Sequence, residues 1–342
     1  MLVWSLTPLT LPLRYTWKIS RNAADVKTNL LLHVLDEAGG PIGWGEAAPN
    51  VRYGETPEAL QAEFEALVAA GLGHCRSLPE LTEFLSVRPP AHALRFALES
   101  ALVHWEAARA GQSVAAWLGL PPPAAAVPTA ASLPIMEPGA VAAFVREHNI
   151  GRFPLLKIKV NREGAVDLLR EVTRLFPGRD LLIDGNEAWS DADSFARDWE
   201  SIRALPGLQV RLVEQPLPAN QAEGYWALKG KVGCPVFADE SVTDVADFAE
   251  IARQFDGVNM KLMKAGGYLN GLRILRETRA HSLQTMLGCM VETSLGIWSA
   301  LQVSSLAGIC DLDGFLILQN EPFELVGEEQ GFLRPYGEQP AL

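Results

Sequence analysis

From about residue 128 the chain alternates short apolar runs with stretches of helical periodicity, the mark of parallel α/β architecture. Apolar runs at residues 128–135, 154–160, 180–184, 209–214, 236–239, 257–262, 285–288 and 308–311 predict eight strands. Residues 163–176 and 241–254 predict helices, and the other gaps are long enough to hold one. Charged residues close several of these runs: Lys159, Asp184, Glu214, Asp239 and Lys261 follow one another at steps of 25, 30, 25 and 22 residues. Each step is what a strand, a crossover helix and a returning loop require. In parallel strands such residues lie at one end of the sheet, and in a closed barrel they ring one mouth, where barrel enzymes do their chemistry.

The first third has a different texture. Apolar segments at residues 30–34 and 42–46 flank the turn-rich Asp36-Glu37-Ala38-Gly39-Gly40-Pro41 and predict a β-hairpin. Thr56-Pro57-Glu58 opens a helix running to about Ala70, and a second spans residues 91–110 before Gly111. Consecutive prolines at 121–123 predict a linker. The expected division is an N-terminal α+β domain over residues 1–122, a barrel over 123–321, and a tail, 322–342, that returns to the first domain. A barrel of under 200 residues is small beside the usual size of about 250, so the first domain is expected to cap its mouth.

Composition narrows the partners. With 29 basic against 41 acidic residues the net charge is −12, and there is no basic run, which argues against nucleic acid or an anionic membrane and for a small ligand. Cys75, Cys234, Cys289 and Cys310 form no C-x-x-C pair and read as free thiols of a reducing compartment. No basic, apolar leader opens the chain, and no apolar stretch approaches the roughly 18 residues of a spanning helix. A cytoplasmic location is expected, and a homo-oligomer is left open.

Asp184, Glu214 and Asp239, arriving from three successive strand ends, make a hard all-oxygen site suited to Mg²⁺. Each alone is equally read as an ion-paired strand terminus, and Asp239 as a helix cap. Three acids in register repel, and a divalent cation is the usual remedy. Lys157 and Lys159 alternate with apolar neighbours and point inward together, and Lys261 ends a strand on the far side. The lysines either neutralise the acids, or Lys159 and Lys261 face each other as a pair of bases across a substrate carbon.

The segments Lys157-Ile158-Lys159, Asp184-Gly185-Asn186, Val213-Glu214-Gln215-Pro216, Ala238-Asp239-Glu240-Ser241 and Lys261-Leu262-Met263-Lys264-Ala265-Gly266-Gly267 together resemble the enolase superfamily, in its muconate lactonizing enzyme subgroup. The resemblance covers nearly the whole chain. It implies an α/β fold, a modified TIM barrel of the (β/α)7β type with an N-terminal capping domain. It further implies that Asp184, Glu214 and Asp239 bind Mg²⁺, that Asn186 and Glu240 support them, that Lys159 and Lys261 are the acid and base, and that Lys157 tunes Lys159.

Asp311-Leu312-Asp313, just past the eighth strand, resembles the Asp-x-Asp with which dipeptide epimerases hold a substrate's free α-ammonium, and Gly288-Cys289-Met290-Val291-Glu292-Thr293-Ser294 is similar to their seventh-strand segment. Arg21 sits where the family's capping loop carries an arginine for an acidic side chain, with Arg14 and Lys18 as the alternatives for that role. Gly185 stands where the family often has alanine. The resemblance implies a Mg²⁺-dependent isomerase that moves a proton at the α-carbon of a dipeptide's C-terminal residue, interconverting L-Ala-D-Glu and L-Ala-L-Glu in peptidoglycan peptide metabolism. The rival expectations are o-succinylbenzoate synthase or N-acylamino acid racemase, whose substrates lack a free ammonium, and a non-catalytic, metal-stabilised barrel that binds peptides.

Overall fold

The computed structural model describes residues 1–337 and Pro340. Its N-terminal sheet has the order β1 (Leu2–Lys18), β2 (Ala23–Asp36), β3 (Ile42–Ala47), with both pairs antiparallel. The hairpin expected around Asp36 to Pro41 is the β2–β3 pair, in register from Leu30 with Ala47 to Leu35 with Ile42. The long β1 went unread in the sequence because Pro8 and Pro12 interrupt it. It tolerates them as the edge strand, where a missing N–H need not face a neighbour. Helices α1 (Pro57–Ala69) and α3 (His92–Arg109) pack on the sheet, and α2 (Leu78–Ser86) packs on α3. Thr56 caps α1 by accepting from the Ala59 amide, with Pro57 in the first turn.

A short strand β4 (Val127–Pro128) leads into eight parallel strands: β5 (Ala130–Leu133), β6 (Leu155–Lys159), β7 (Asp180–Asp184), β8 (Gln209–Glu214), β9 (Val236–Ala238), β10 (Gly257–Met260), β11 (Gln284–Gly288) and β12 (Ile309–Asp311), hydrogen-bonded in sequence order. The crossovers run through Pro138–Glu147, Ala165–Leu175, Ala192–Arg203, Ala222–Leu228, Phe248–Gln254, Tyr268–Ala280 and Ser294–Leu301. The spacing predicts the eight strands, and the (β/α)7β barrel they form is the one that the resemblance implies. Its seam is closed by side chains: Thr129 Oγ1 accepts from the Leu312 amide, and Asp313 accepts from the Ser132 amide. The helix expected from residue 241 begins only at Phe248, because Asp247 accepts from the Ala249 and Glu250 amides and caps it there.

The tail forms a hairpin, β13 (Val326–Glu329) and β14 (Phe332–Pro335), whose second strand pairs with β4, while Arg152 grips Glu328 at 2.6 Å. Contact with β1 is made just upstream, where Arg14 donates to the Ile317 carbonyl and Gln319 to that of Pro12.

Period-two alternation explains why the polar residues converge. Ala130, Leu182, Leu212, Phe237 and Ile309 fill the barrel interior as one apolar cluster, with Leu155 packed against it. The inward residue two positions further along each strand is Ser132, Asp184, Glu214, Asp239 and Asp311 respectively, and Lys157 after Leu155. One layer of the barrel is core; the next is chemistry.

Candidate active site

The three acids meet as the spacing predicts. Asp184, Glu214 and Asp239 are buried and offer carboxylate oxygens that all lie within 4.8 Å of one another. Four lysines surround them. Lys157 Nζ lies 3.0 Å from Asp184, 2.8 Å from Glu214 and 2.7 Å from Asp311. Lys159 donates to Asp184 at 2.6 Å and Lys261 to Asp239 at 2.8 Å. Lys159 and Lys261 therefore rise from positions four strands apart in an eight-stranded barrel, on opposite sides of the mouth.

Lys264 was not singled out in the sequence. It is buried and donates to Asp239 Oδ1 at 2.6 Å, to the Asp239 carbonyl at 2.5 Å and to the Asn259 carbonyl at 3.1 Å. These bonds pin the carboxylate that would otherwise be free to cap a helix, so Asp239 is not the cap that Glu240-Ser241 suggested. The readable signal was the spacing from Lys261, which sets a second lysine one helical turn on.

Electrostatics separate the acids. Burial and Asp184 push Glu214 up, whereas Lys157 and Lys159 overcome burial and hold Asp184 low. Burial works against the ammonium of Lys261, but Asp239, Glu214 and Glu240 together outweigh it and hold the pKa above the ordinary lysine value. Acceptors remain to spare: Glu214 Oε2 has Lys157 nearby without an aligned hydrogen bond, and Asn186 Oδ1 and Glu240 Oε2 are buried with no donor. A dense set of oxygen ligands with unspent lone pairs fits a hard divalent cation.

Asn186 and Glu240 line the cavity beside these acids. Asn186 donates to Glu240 at 3.2 Å, and its amide donates to Asp184 Oδ1 at 2.9 Å. Asn186, Glu187 and Gln215 all have positive φ, a backbone choice that costs energy and is held by the surroundings. Gln215 shows how: its side chain accepts from the Asp239 and Ser241 amides and donates to Ser241 Oγ and Tyr225 Oη, tying the ends of β8 and β9 together. Gly185 is required here, since a Cβ would come within 2.9 Å of Pro216 Cα.

At the seam Asp311 accepts from Lys157, and Asp313 accepts from the Ser132 amide at 2.5 Å and the Ser132 hydroxyl at 3.3 Å. Burial and Asp311 push Asp313 up to about 7. Two capping loops close over the mouth. Arg21 donates to the Asn186 carbonyl, to Glu187 at 2.9 Å and to Glu240 at 2.6 Å, and Arg52 pairs with the same Glu187 at 2.9 Å. Arg21 thus reaches the mouth, but its guanidinium is already engaged. The cavity beneath the two loops holds about 100 Å³ and brings together Lys157, Lys159, Lys261, Asp239, Asp311 and Asp313 with Arg21 and Tyr53 of the capping loops.

The sequence profile of the family described as "Enolase C-terminal domain-like" matches residues 140–320. An L-Ala-D/L-amino acid epimerase of Pedosphaera parvula is 31% identical over 333 residues, 95% of this chain and 94% of that protein. A crystal structure of an enolase family member from Agrobacterium tumefaciens, with homology to dipeptide epimerases and with sodium and L-Ala-L-Glu bound, superposes with a TM-score of 0.87 at 30% identity, covering 99% of each chain. A dipeptide epimerase from Enterococcus faecalis, complexed with Mg and L-Leu-L-Tyr, gives 0.87 at 25% identity over 98% of this chain and 97% of that one.

Proposed function

The chain belongs to the enolase superfamily, among its dipeptide epimerases, and we propose that it carries out a Mg²⁺-dependent 1,1-proton transfer at the α-carbon of the C-terminal residue of a dipeptide, with L-Ala-D-Glu and L-Ala-L-Glu as the pair. The observation that carries this reading is the placement of Lys159 and Lys261 on opposite sides of one mouth, each held by a different acid of the triad.

Asp184, Glu214 and Asp239 would hold the ion. Bound there, Mg²⁺ supplies positive charge for the negative charge that gathers on the substrate carboxylate as the α-proton leaves. The lysines handle the proton: one, neutral, removes it from one face of the α-carbon, and the other, as ammonium, delivers one to the opposite face. Exchanging the roles runs the reaction backwards. Lys157, in contact with Asp184, Glu214 and Asp311, fixes the charge behind Lys159. Each pKa unit by which the site narrows the gap between carbon acid and base is worth ~1.36 kcal/mol.

Asp311 and Asp313 present a paired anion at the cavity wall and would take the free α-ammonium through charge-assisted hydrogen bonds. That feature favours dipeptides over the N-acyl and succinyl substrates of sister enzymes. Arg21 and Arg52, locked to Glu187, would hold the capping loops shut and exclude water. Free cysteines and the absence, among the described residues, of a helix long and apolar enough to cross a membrane are compatible with a cytoplasmic enzyme. Comparing turnover of L-Ala-L-Glu with that of N-acetyl-L-glutamate and N-succinyl-L-glutamate tests the reading: preference for the free dipeptide supports it, and preference for an acylated amino acid sends the chain to the sister activity.

A further inference from the structure

Arg21, the cation nearest in position to the family's acidic-side-chain ligand, is spoken for by Glu187, Glu240 and the Asn186 carbonyl. A second cation reaches the same cavity. Lys27 of β2 lines it, beside Trp17 and Val291. Among the described residues the Lys27 ammonium has no hydrogen-bond or ion-pair partner.

The register explains its direction. Lys27 pairs with Leu11 of β1, and directly opposed residues share a face. Leu11 is buried against Val291, Ile317 and Leu318, so that face looks down onto the barrel loops that follow β11 and β12. Asn29, two residues along the same face, donates to the Val291 carbonyl at 3.0 Å, whereas Val26, on the other face, is 50% exposed. Lys27 therefore rises from an apolar floor into the cavity as a half-buried ammonium. Burial pushes its pKa down, with no neighbouring carboxylate to oppose the shift. A desolvated cation without a counter-charge in a ligand cavity is a standing demand for an anion.

We propose that Lys27 is a specificity-determining residue of this enzyme, the counter-ion for a carboxylate carried on a side chain of the substrate dipeptide. The inference rests on the dipeptide reading above. In that reading the terminal carboxylate of the substrate would be met by the cation that the triad holds, and its ammonium by Asp311 and Asp313. The remaining anion a dipeptide can offer is an acidic side chain, on either its first or its second residue.

The test compares kcat/KM for L-Ala-L-Glu against L-Ala-L-Gln, and for L-Glu-L-Ala against L-Gln-L-Ala, in the wild type, Lys27→Met and Lys27→Arg. The wild type is expected to favour one acidic dipeptide over its amide twin by about 10- to 100-fold, the size of a charge-assisted hydrogen bond. Lys27→Met is expected to lose that ratio, and Lys27→Arg to keep most of it. Which of the two pairs shows the discrimination identifies the residue whose side chain Lys27 meets. A wild type that turns over acidic and amide dipeptides alike, or a Lys27→Met variant that keeps the ratio, overturns the inference and leaves the epimerase reading intact. A wild type inert on every dipeptide overturns both.

Discussion

Glu46 of β3 accepts a 2.6 Å hydrogen bond from the hydroxyl of Thr293, the residue that caps the helix Ser294–Leu301 of the barrel. The same buried carboxylate accepts from the amides of Thr293 and Gly296 and, at 2.7 Å, from Asn29. One acid thus fastens the capping sheet to a helix N-terminus, where a carboxylate is favoured, and so sets the barrel segment 289–291 that walls the cavity. Removing it leaves several buried donors unsatisfied. Glu46→Ala is expected to cost ~3 kcal/mol, and paired with Thr293→Val in a urea-denaturation cycle the two losses should fall well short of additive. Additive losses would mean that the contact carries no coupling.

Lys159→Ala and Lys261→Ala should each cut epimerisation by at least ~10²–10⁴-fold, the usual contribution of a positioned proton carrier. Each variant keeps one lysine of the pair, so each should still exchange the α-proton of one diastereomer with solvent deuterium, and the two variants should prefer opposite diastereomers. Mass spectrometry of the recovered dipeptide reads this directly. Full epimerisation by either variant contradicts the two-lysine assignment.

Glu214→Gln removes one of the three acids proposed to hold the ion and should weaken Mg²⁺ binding by ~10-fold or more, measured by calorimetric titration of the folded protein. Lys264→Met should weaken it less, because it only frees the Asp239 carboxylate to turn away from the other two. Unchanged affinity in Glu214→Gln would place the ion elsewhere.

Glu99 of α3 accepts from the Leu269 amide at the start of the helix Tyr268–Ala280, and burial pushes it up to about 7 from an ordinary 4.5. A Cβ on Gly267 would lie 2.4 Å from that carboxylate, so glycine is needed for the approach. The folded state binds this proton more tightly than the unfolded chain, so the stabilisation is fully present below about pH 4.5 and is lost as pH rises through 7. That window spans ~3 kcal/mol. Buried His104, pushed down to about 4, has the opposite sign: its contribution is present above about pH 6.5 and lost as pH falls toward 4. Glu99→Gln removes the first slope alone, so the variant should gain stability relative to the wild type between pH 5 and 7.5 in denaturation curves. A difference that does not vary with pH refutes the assignment.

The residues that were legible in the sequence are those whose position repeats. Asp184, Glu214 and Asp239 end successive apolar runs, and Lys157 and Lys159 alternate within one, so strand periodicity alone turns all five inward at the end of the barrel beyond the interior cluster of Leu182, Leu212 and Phe237. The residues that escaped reading depend on contacts between distant segments. Lys264 acts from a one-turn helix, Gln215 works through an uncommon backbone angle, Ser132 matters only once the barrel closes, and Lys27 faces the cavity only because β2 pairs with β1 in one register. The length of β1 was hidden for a related reason, since its two prolines are acceptable only on an edge that the sequence does not announce.

The central claim is metal-dependent proton transfer at a dipeptide α-carbon. Proton NMR of L-Ala-L-Glu with the purified protein in D₂O, first with Mg²⁺ and then with chelator, tests it most directly. The account predicts loss of the glutamyl α-proton signal with growth of the L-Ala-D-Glu diastereomer, both stopped by the chelator. An α-proton signal that persists with Mg²⁺ on this dipeptide and on a panel of others would contradict it.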